Sequence, residues 1–277
     1  MSRSEHLVTA SDLRRELDSV IVLDVRWRLG DLPSDGRARY VAGHLSGARH
    51  LDLEQVLTGP TDDPRAGRHP LPEVARLEHG LGALGVEASD EVVVYDEPGS
   101  FAAARAWWVL RWAGIRTRVL DGGLPAWVAA GGPLQQGGEV SWPTTTPTLT
   151  TGHLPCLSAD EAAGFPDHGV LVDVRAPERF RGEVEPLDPR AGHVPGAVNL
   201  PAVRLFTDAG RLPQEEDLRR SLAELGAFGD VAAYCGSGVS AAQAVLALAT
   251  LDVEAALFAG SWSAWSNDPD RPVATGP

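Results

Sequence analysis

Short apolar runs recur along the chain, each closed by a polar or glycine-rich turn and followed by an amphipathic or alanine-rich stretch. In the first half this pattern predicts strands near 20–25, 47–51, 91–95 and 117–120, with helices near 10–18, 72–84, 100–113 and 124–130. In the second half it predicts strands near 170–174, 196–200, 230–234 and 255–258, with helices near 158–163, 213–225 and 239–250. Unbroken apolar strands alternating with helices call for a mainly parallel sheet with helices on both faces, an α/β fold. Residues 134–156, rich in Gly, Pro and Thr, read as a linker between units at 1–133 and 157–277.

The two units are one pattern written twice. Residues 21–26 read IVLDVR and residues 170–175 read VLVDVR; twenty positions beyond Asp24 and Asp173 lie His44 and His193, in GHLSGARHL and GHVPGAVNLP. VVVYDEPGSFAAARA (92–106) answers VAAYCGSGVSAAQA (231–244), and DGGLPAW (121–127) answers AGSWSAW (259–265). Four matched blocks in one order mark a tandem duplication. The copies differ in length: His44 to Asp96 spans 52 positions, His193 to Cys235 only 42. The surplus falls most naturally in TGPTDDPRAGRHPLP (58–72), a polar loop that carries His69. Elongated loops on rigid units are common seats of function.

Composition narrows the classes. With 277 residues, 43% hydrophobic and 22% charged, the chain has material for two modest globular cores. No apolar run approaches the ~20 residues of a membrane span, and the N-terminus lacks the apolar core of a signal peptide, so a cytoplasmic location is expected. A net charge of −14 argues against nucleic acid or anionic membrane as partner. Cys156 and Cys235 are the two cysteines, and a disulfide between them is not expected in a reducing compartment.

The chemistry gathers at residues 231–246. An apolar strand ends at Tyr234; Cys235-Gly236-Ser237-Gly238-Val239-Ser240 form a turn; an Ala/Leu-rich helix follows. A strand–turn–helix collects backbone N–H groups at one point, which attracts anions and favours a thiolate. Gly236 and Gly238 let the turn curl. In the first copy, Asp96 stands where Cys235 does, followed by Glu97 and Pro98, so a loop of two acids and a missing N–H offers no such cradle.

The duplicated GH(L/V)xGA blocks, the Cys-led CGSGVS loop and the SWSAW tail resemble the tandem-domain rhodanese sulfurtransferases, over nearly the whole chain. CGSGVS is similar to the loop of 3-mercaptopyruvate sulfurtransferases; thiosulfate-preferring members more often carry basic residues there, and none stands at 236–237. The resemblance implies two tandem rhodanese-like domains, the first catalytically inert and walling the site. Sulfur would pass from a small anionic donor, 3-mercaptopyruvate or thiosulfate, through a Cys235 persulfide to a thiol such as thioredoxin or a small thiol, or to cyanide. No metal-ligand spacing or dinucleotide fingerprint stands in the sequence, so no cofactor or metal is expected. Arg179, in RAPERFRG, matches the family's donor-binding arginine, and Arg190 is a looser candidate for a second; Gly236, Gly238, Val239 and Ser240 would cradle the transferred sulfur. A Ser–His–Asp relay would comprise Ser237, His69 and Asp52.

Rival classes are a Cys-dependent phosphatase or arsenate reductase and a non-catalytic rhodanese-like binding module. The first requires an arginine at the sixth position after the cysteine, where Ala241 stands; retention of Cys235 with its glycine loop argues against the second. His44 and His193 occur in both copies, the inert one included, and so read as fold residues, as do Asp24, Asp173 and the tryptophans.

Overall fold

The computed structural model describes residues 3–138, 141–223 and 229–277. Two parallel sheets share one strand order. The first runs Leu7–Val8, Arg116–Leu120, Glu91–Tyr95, Ile21–Asp24, Arg49–His50. The second runs Ala255–Leu257, Val231–Tyr234, Val170–Asp173, Val198–Asn199. Cys156, bridged in parallel to Leu257, occupies the edge that Leu7–Val8 holds in the first sheet. The central Val231–Tyr234 strand is buried throughout, as its wholly apolar sequence requires.

Helices cover both faces of each sheet. On the outer faces, Trp127 and Leu13 pack against Val22 and Val93 in one half, and Trp262 and Trp265 pack near Tyr234 and Phe258 in the other. The inner faces meet through helices Ala102–Trp112 and Ala241–Ala249, which press together in a single apolar core shared by both halves. Alanines on these helices let the two backbones approach closely, and Trp107 and Trp108 fill the remaining space.

Residues beyond 134 stay attached to the first half. Leu134–Gln135 pairs antiparallel with His44–Leu45, Thr145 donates to the carbonyls of Gly82 (from N–H) and Val86 (from its hydroxyl), and Leu149 N–H donates to Glu78. The repeated His and Asp residues are structural in both copies. His44 stacks on Tyr40 and His193 on Phe180, each bonding a backbone carbonyl through Nδ1. Asp24 and Asp173 grip Arg26 and Arg175 at the buried strand ends.

Four α-helices among the described residues lie outside the sequence pattern: the single turns Leu53–Val56 and Pro177–Phe180, and two longer ones. Asp35–Ala42 is largely polar and buries only Tyr40. Ser261–Asn267 is a Ser/Trp run of low helix propensity, and burial of Trp262 and Trp265 holds it in place. The helix expected at 213–225 is seen as Glu215–Ala223; residues 224–225 lie outside the described residues.

Candidate active site

Cys235 follows the strand Val231–Tyr234 and is 1% exposed, at the floor of a cleft of about 400 Å³ between the two halves. The second half contributes the Cys235 loop, Arg175 and Arg179; the first contributes Trp27, Arg68 and Phe101. The Gly238 N–H points at Sγ, 3.0 Å away. Gly238 holds φ +78°, and a Cβ there would lie 2.3 Å from the Ala259 carbonyl oxygen, so glycine is required.

Loop carbonyls are tied down outside the cradle. The first turn of helix Ser261–Asn267 donates from Trp262 N–H to the Cys235 carbonyl (2.9 Å) and from Ser263 N–H to the Gly236 carbonyl (2.8 Å). The Gly238 carbonyl accepts from Arg105 at 3.2 Å. In a planar trans peptide C=O and N–H oppose one another, so fixing these carbonyls aims the amides of Gly236, Ser237 and Val239 the other way. A negatively charged sulfur is what such convergent donors suit.

Ser261 supports the cysteine directly. It holds a left-handed φ of 53° and is wholly buried. Its hydroxyl accepts the Cys235 N–H at 3.1 Å, donates to the Phe258 carbonyl at 2.9 Å, and lies 3.9 Å from Sγ. The matching position in the first copy is Gly123, φ 55°. A serine in a conformation glycine would hold more comfortably is strain of about 1–3 kcal/mol of the kind that marks functional sites. Sequence comparison of the copies could have found it, since DGG and AGS align there.

Arg105 is a second residue the sequence reading passed over. It belongs to the first half, is fully buried, and donates to carbonyls of Gly238, Leu57 and His69, with no carboxylate among these partners. Burial lowers its pKa to about 10, and the charge of Cys235 acts in the opposite sense. It ties the Cys235 loop to the loop that carries His69.

The other expected site residues fall in different places. Gly236, Ser237, Val239 and Ser240 line the cleft with Cys235, and so does Arg179. Arg179 donates to Glu185 (2.6 Å) and to Asp188 (3.1 Å). Arg190 does not reach the cleft. Its guanidinium donates to the carbonyls of Trp265, Ser266, Asp268 and Arg271, closing the C-terminal end of helix Ser261–Asn267. The placement of Arg190 at the donor is thereby corrected: the cation is spent on helix-end carbonyls.

The acid expected in the relay, Asp52, does not meet His69. Asp52 caps helix Leu53–Val56, its carboxylate accepting the Gln55 N–H at 3.0 Å, and no hydrogen bond joins it to His69. Glu54, two positions on, meets His69 Nε2 at 3.0 Å. His69 itself is buried, edge-on to the cleft residue Trp27 at 5.3 Å, with Nδ1 lacking a hydrogen-bond partner. Among the described residues no group of three or more His, Cys, Asp or Glu is placed to hold a metal, and no helix is long and apolar enough to cross a membrane.

Comparison with known proteins agrees with this architecture. The rhodanese-like domain model matches twice, at residues 9–130 and 158–268. SseB of Mycobacterium tuberculosis, which carries the name thiosulfate sulfurtransferase, is 46% identical over 99% of both chains. A Pseudomonas aeruginosa protein that carries the name 3-mercaptopyruvate sulfurtransferase is 44% identical over 99% of both. The solved 3-mercaptopyruvate sulfurtransferase SseA of Escherichia coli superposes with a TM-score of 0.80 at 30% identity, covering 92% of this chain and 98% of its own. Fold, duplication and full-length similarity lead to one statement: the chain belongs to the rhodanese-like family and is a tandem-domain sulfurtransferase.

Proposed function

We propose that the enzyme prefers 3-mercaptopyruvate as donor and carries its sulfur as a persulfide on Cys235. The observation that supports this best is the Gly238 N–H aimed at Sγ on the floor of an arginine-lined cleft. The Cys235 thiolate attacks the donor's sulfur and the C–S bond breaks, its electron pair leaving on the enolate of pyruvate. One proton completes pyruvate, and Ser237, a hydroxyl beside the cysteine, is our candidate to deliver it, with His69 behind it. An acceptor thiolate then attacks the outer sulfur and Cys235 leaves as thiolate, so both half-reactions balance without a cofactor.

The absence of basic residues at 236–237 supports a carboxylate donor. In 3-mercaptopyruvate the anionic group is separated from the sulfur by a methylene and a carbonyl, so the arginines that meet it belong off the loop, where Arg179 stands. Thiosulfate carries its charge directly beside the transferred sulfur. The acceptor in this reading is a cytoplasmic thiol, thioredoxin or a small thiol, with cyanide as an artificial substitute. The first domain is inert and serves as wall. The test is kcat/KM for both donors with one acceptor: a higher value for 3-mercaptopyruvate is expected, and a preference for thiosulfate overturns the donor assignment.

A further inference from the structure

We propose that Arg105, a residue of the silent first domain, is the positioning residue that readies the Cys235 loop for a negatively charged sulfur, acting through the Gly238–Val239 peptide. The proposal rests on the sulfurtransfer reading above and deepens it, because it gives that domain a charge to contribute as well as a wall.

Arg105 sits on helix Ala102–Trp112, which presses against helix Ala241–Ala249 of the other half. It is fully buried and is not among the residues that line the cleft, so a donor in the cleft does not meet it. Its guanidinium donates to the carbonyls of Gly238 (3.2 Å), Leu57 (3.3 Å), His69 (3.0 Å) and Pro70 (3.5 Å), and Nε has no hydrogen-bond partner. Carbonyl dipoles alone compensate a buried cation poorly; it calls for an anion close by. The acidic groups whose charge acts on Arg105 are Cys235, then Cys156, then Glu54. Burial pushes the Cys156 thiol up, which keeps it neutral, and Glu54 is half exposed and engaged with His69. Cys235 is the counterion that remains.

The route is one peptide long. Arg105 holds the Gly238 carbonyl, and the other end of that planar unit is Val239 N–H, turned away from Arg105 towards the cleft that Val239 lines. A cation at the carbonyl polarises the peptide and makes its N–H a stronger donor to a charged sulfur. Gly238 also gives its own N–H to Sγ at 3.0 Å, so the residue that Arg105 holds is one that touches the nucleophile.

The duplication contains its own control. Aligned on these two helices, Gln243 stands where Arg105 does, and it lines the cleft over Asp96. Each inner helix thus faces the other copy's loop with one polar side chain, arginine towards the cysteine and glutamine towards the aspartate. With a neutral amide there and no basic residue among the described lining, burial pushes the Asp96 carboxyl up to about 7. The copy without the cation favours the uncharged acid; the copy with it is the one that must carry an anion. The other charged or titratable groups around Cys235 are Arg68, Arg179 and Glu178 in the cleft, Arg175 with its partner Asp173, and buried His69. None of these changes in the variants below.

The test alkylates Cys235 with iodoacetamide across a range of pH in a Cys156→Ser background. It compares Arg105→Gln, which installs the other copy's residue, with Arg105→Lys, which keeps the charge, and near-ultraviolet circular dichroism verifies that each is folded. Arg105→Gln is expected to move the midpoint of the rate profile up by about one pH unit or more and to slow alkylation at neutral pH by about tenfold. In turnover, kcat should fall by a similar factor while the donor KM stays within about threefold. Arg105→Lys is expected to keep its midpoint within about half a pH unit of the parent. A midpoint in folded Arg105→Gln within about half a unit of the parent overturns the proposal. Should that variant not fold, Arg105→Lys decides: a larger shift with the charge retained overturns the proposal, and a profile like the parent's sustains it. Failure of the underlying reading looks different, since wild type would then turn over neither donor while its alkylation profile still responds to Arg105.

Discussion

The Cys235 loop and the Asp96 loop descend from one pattern and keep one backbone shape, yet their surroundings are electrically opposite. Both end the central strand of a parallel sheet, and both turn through a left-handed glycine, Gly238 at φ 78° and Gly99 at φ 84°. The cleft over Cys235 is lined by three arginines, Arg68, Arg175 and Arg179, against one acid, Glu178. The cleft over Asp96, about 220 Å³, is lined by Asp96, Glu97, Asp121 and Asp208, with no basic residue among its described lining. Burial pushes the Asp96 carboxyl up to about 7, while it accepts the Ala103 N–H at 3.0 Å. The fold supplies the strand–turn–helix in both copies; on the proposed reading, what sets the two sites apart is the residue seated in the turn, the N–H that Pro98 lacks, and the sign of the charge above.

That contrast can be broken most severely at the nucleophile. Cys235→Ser is expected to lower turnover by at least about 10³-fold with the fold intact. The reciprocal change, Asp96→Cys, is expected to yield no persulfide at position 96 in a Cys235→Ser background, because Pro98 removes an N–H and no basic residue lines the cleft there. Intact mass after donor treatment reads both, and sulfur gained at position 96 would refute the charge argument.

A subtler change sharpens the comparison. Ser261→Gly gives the second copy the residue the first already has at Gly123. Relief of the left-handed φ should leave thermal stability unchanged or slightly higher, while loss of the hydroxyl that accepts the Cys235 N–H should cut kcat roughly tenfold. If activity falls only as far as stability does, Ser261 is a packing residue.

Smaller effects follow at the positions that hold structure alone. Arg190→Ala removes four bonds to helix-end carbonyls and is expected to lower the melting temperature while leaving the donor KM unchanged. For Asp96 the folded carboxyl titrates near 7, above its unfolded value of about 4, so the folded state binds more protons between these limits. Stability contributed by the neutral acid is present at low pH and is lost as pH rises towards 7. Asp96→Asn should flatten that slope in denaturant titrations run from about pH 4 to 8, and an unchanged slope would place the titration elsewhere.

What the sequence made legible was whatever is local or repeated. The duplication, the strand–turn–helix at Cys235 and the longer loop at 58–72 are patterns within a few dozen residues. What it hid depends on contacts across the chain. Arg68 sits beside His69 in the polar loop, but its partner Asp188 is 120 positions away, and no spacing rule joins them. Arg190 follows Asp188 by two residues, and only the packed helix Ser261–Asn267 decides which way its side chain turns. Asp52 and Glu54 were a nearer miss: a capping aspartate is committed to its own helix, which leaves the next acid free to meet His69.

The central claim is that a sulfhydryl held among converging amides can carry a second sulfur, and mass spectrometry of the intact protein tests it most directly. After brief incubation with 3-mercaptopyruvate and removal of excess donor, the wild type should gain the mass of one sulfur atom. That mass should vanish on addition of a thiol and never appear in Cys235→Ser. An enzyme that turns over donor while its mass never changes, or one in which the added sulfur maps to Cys156, would contradict the account.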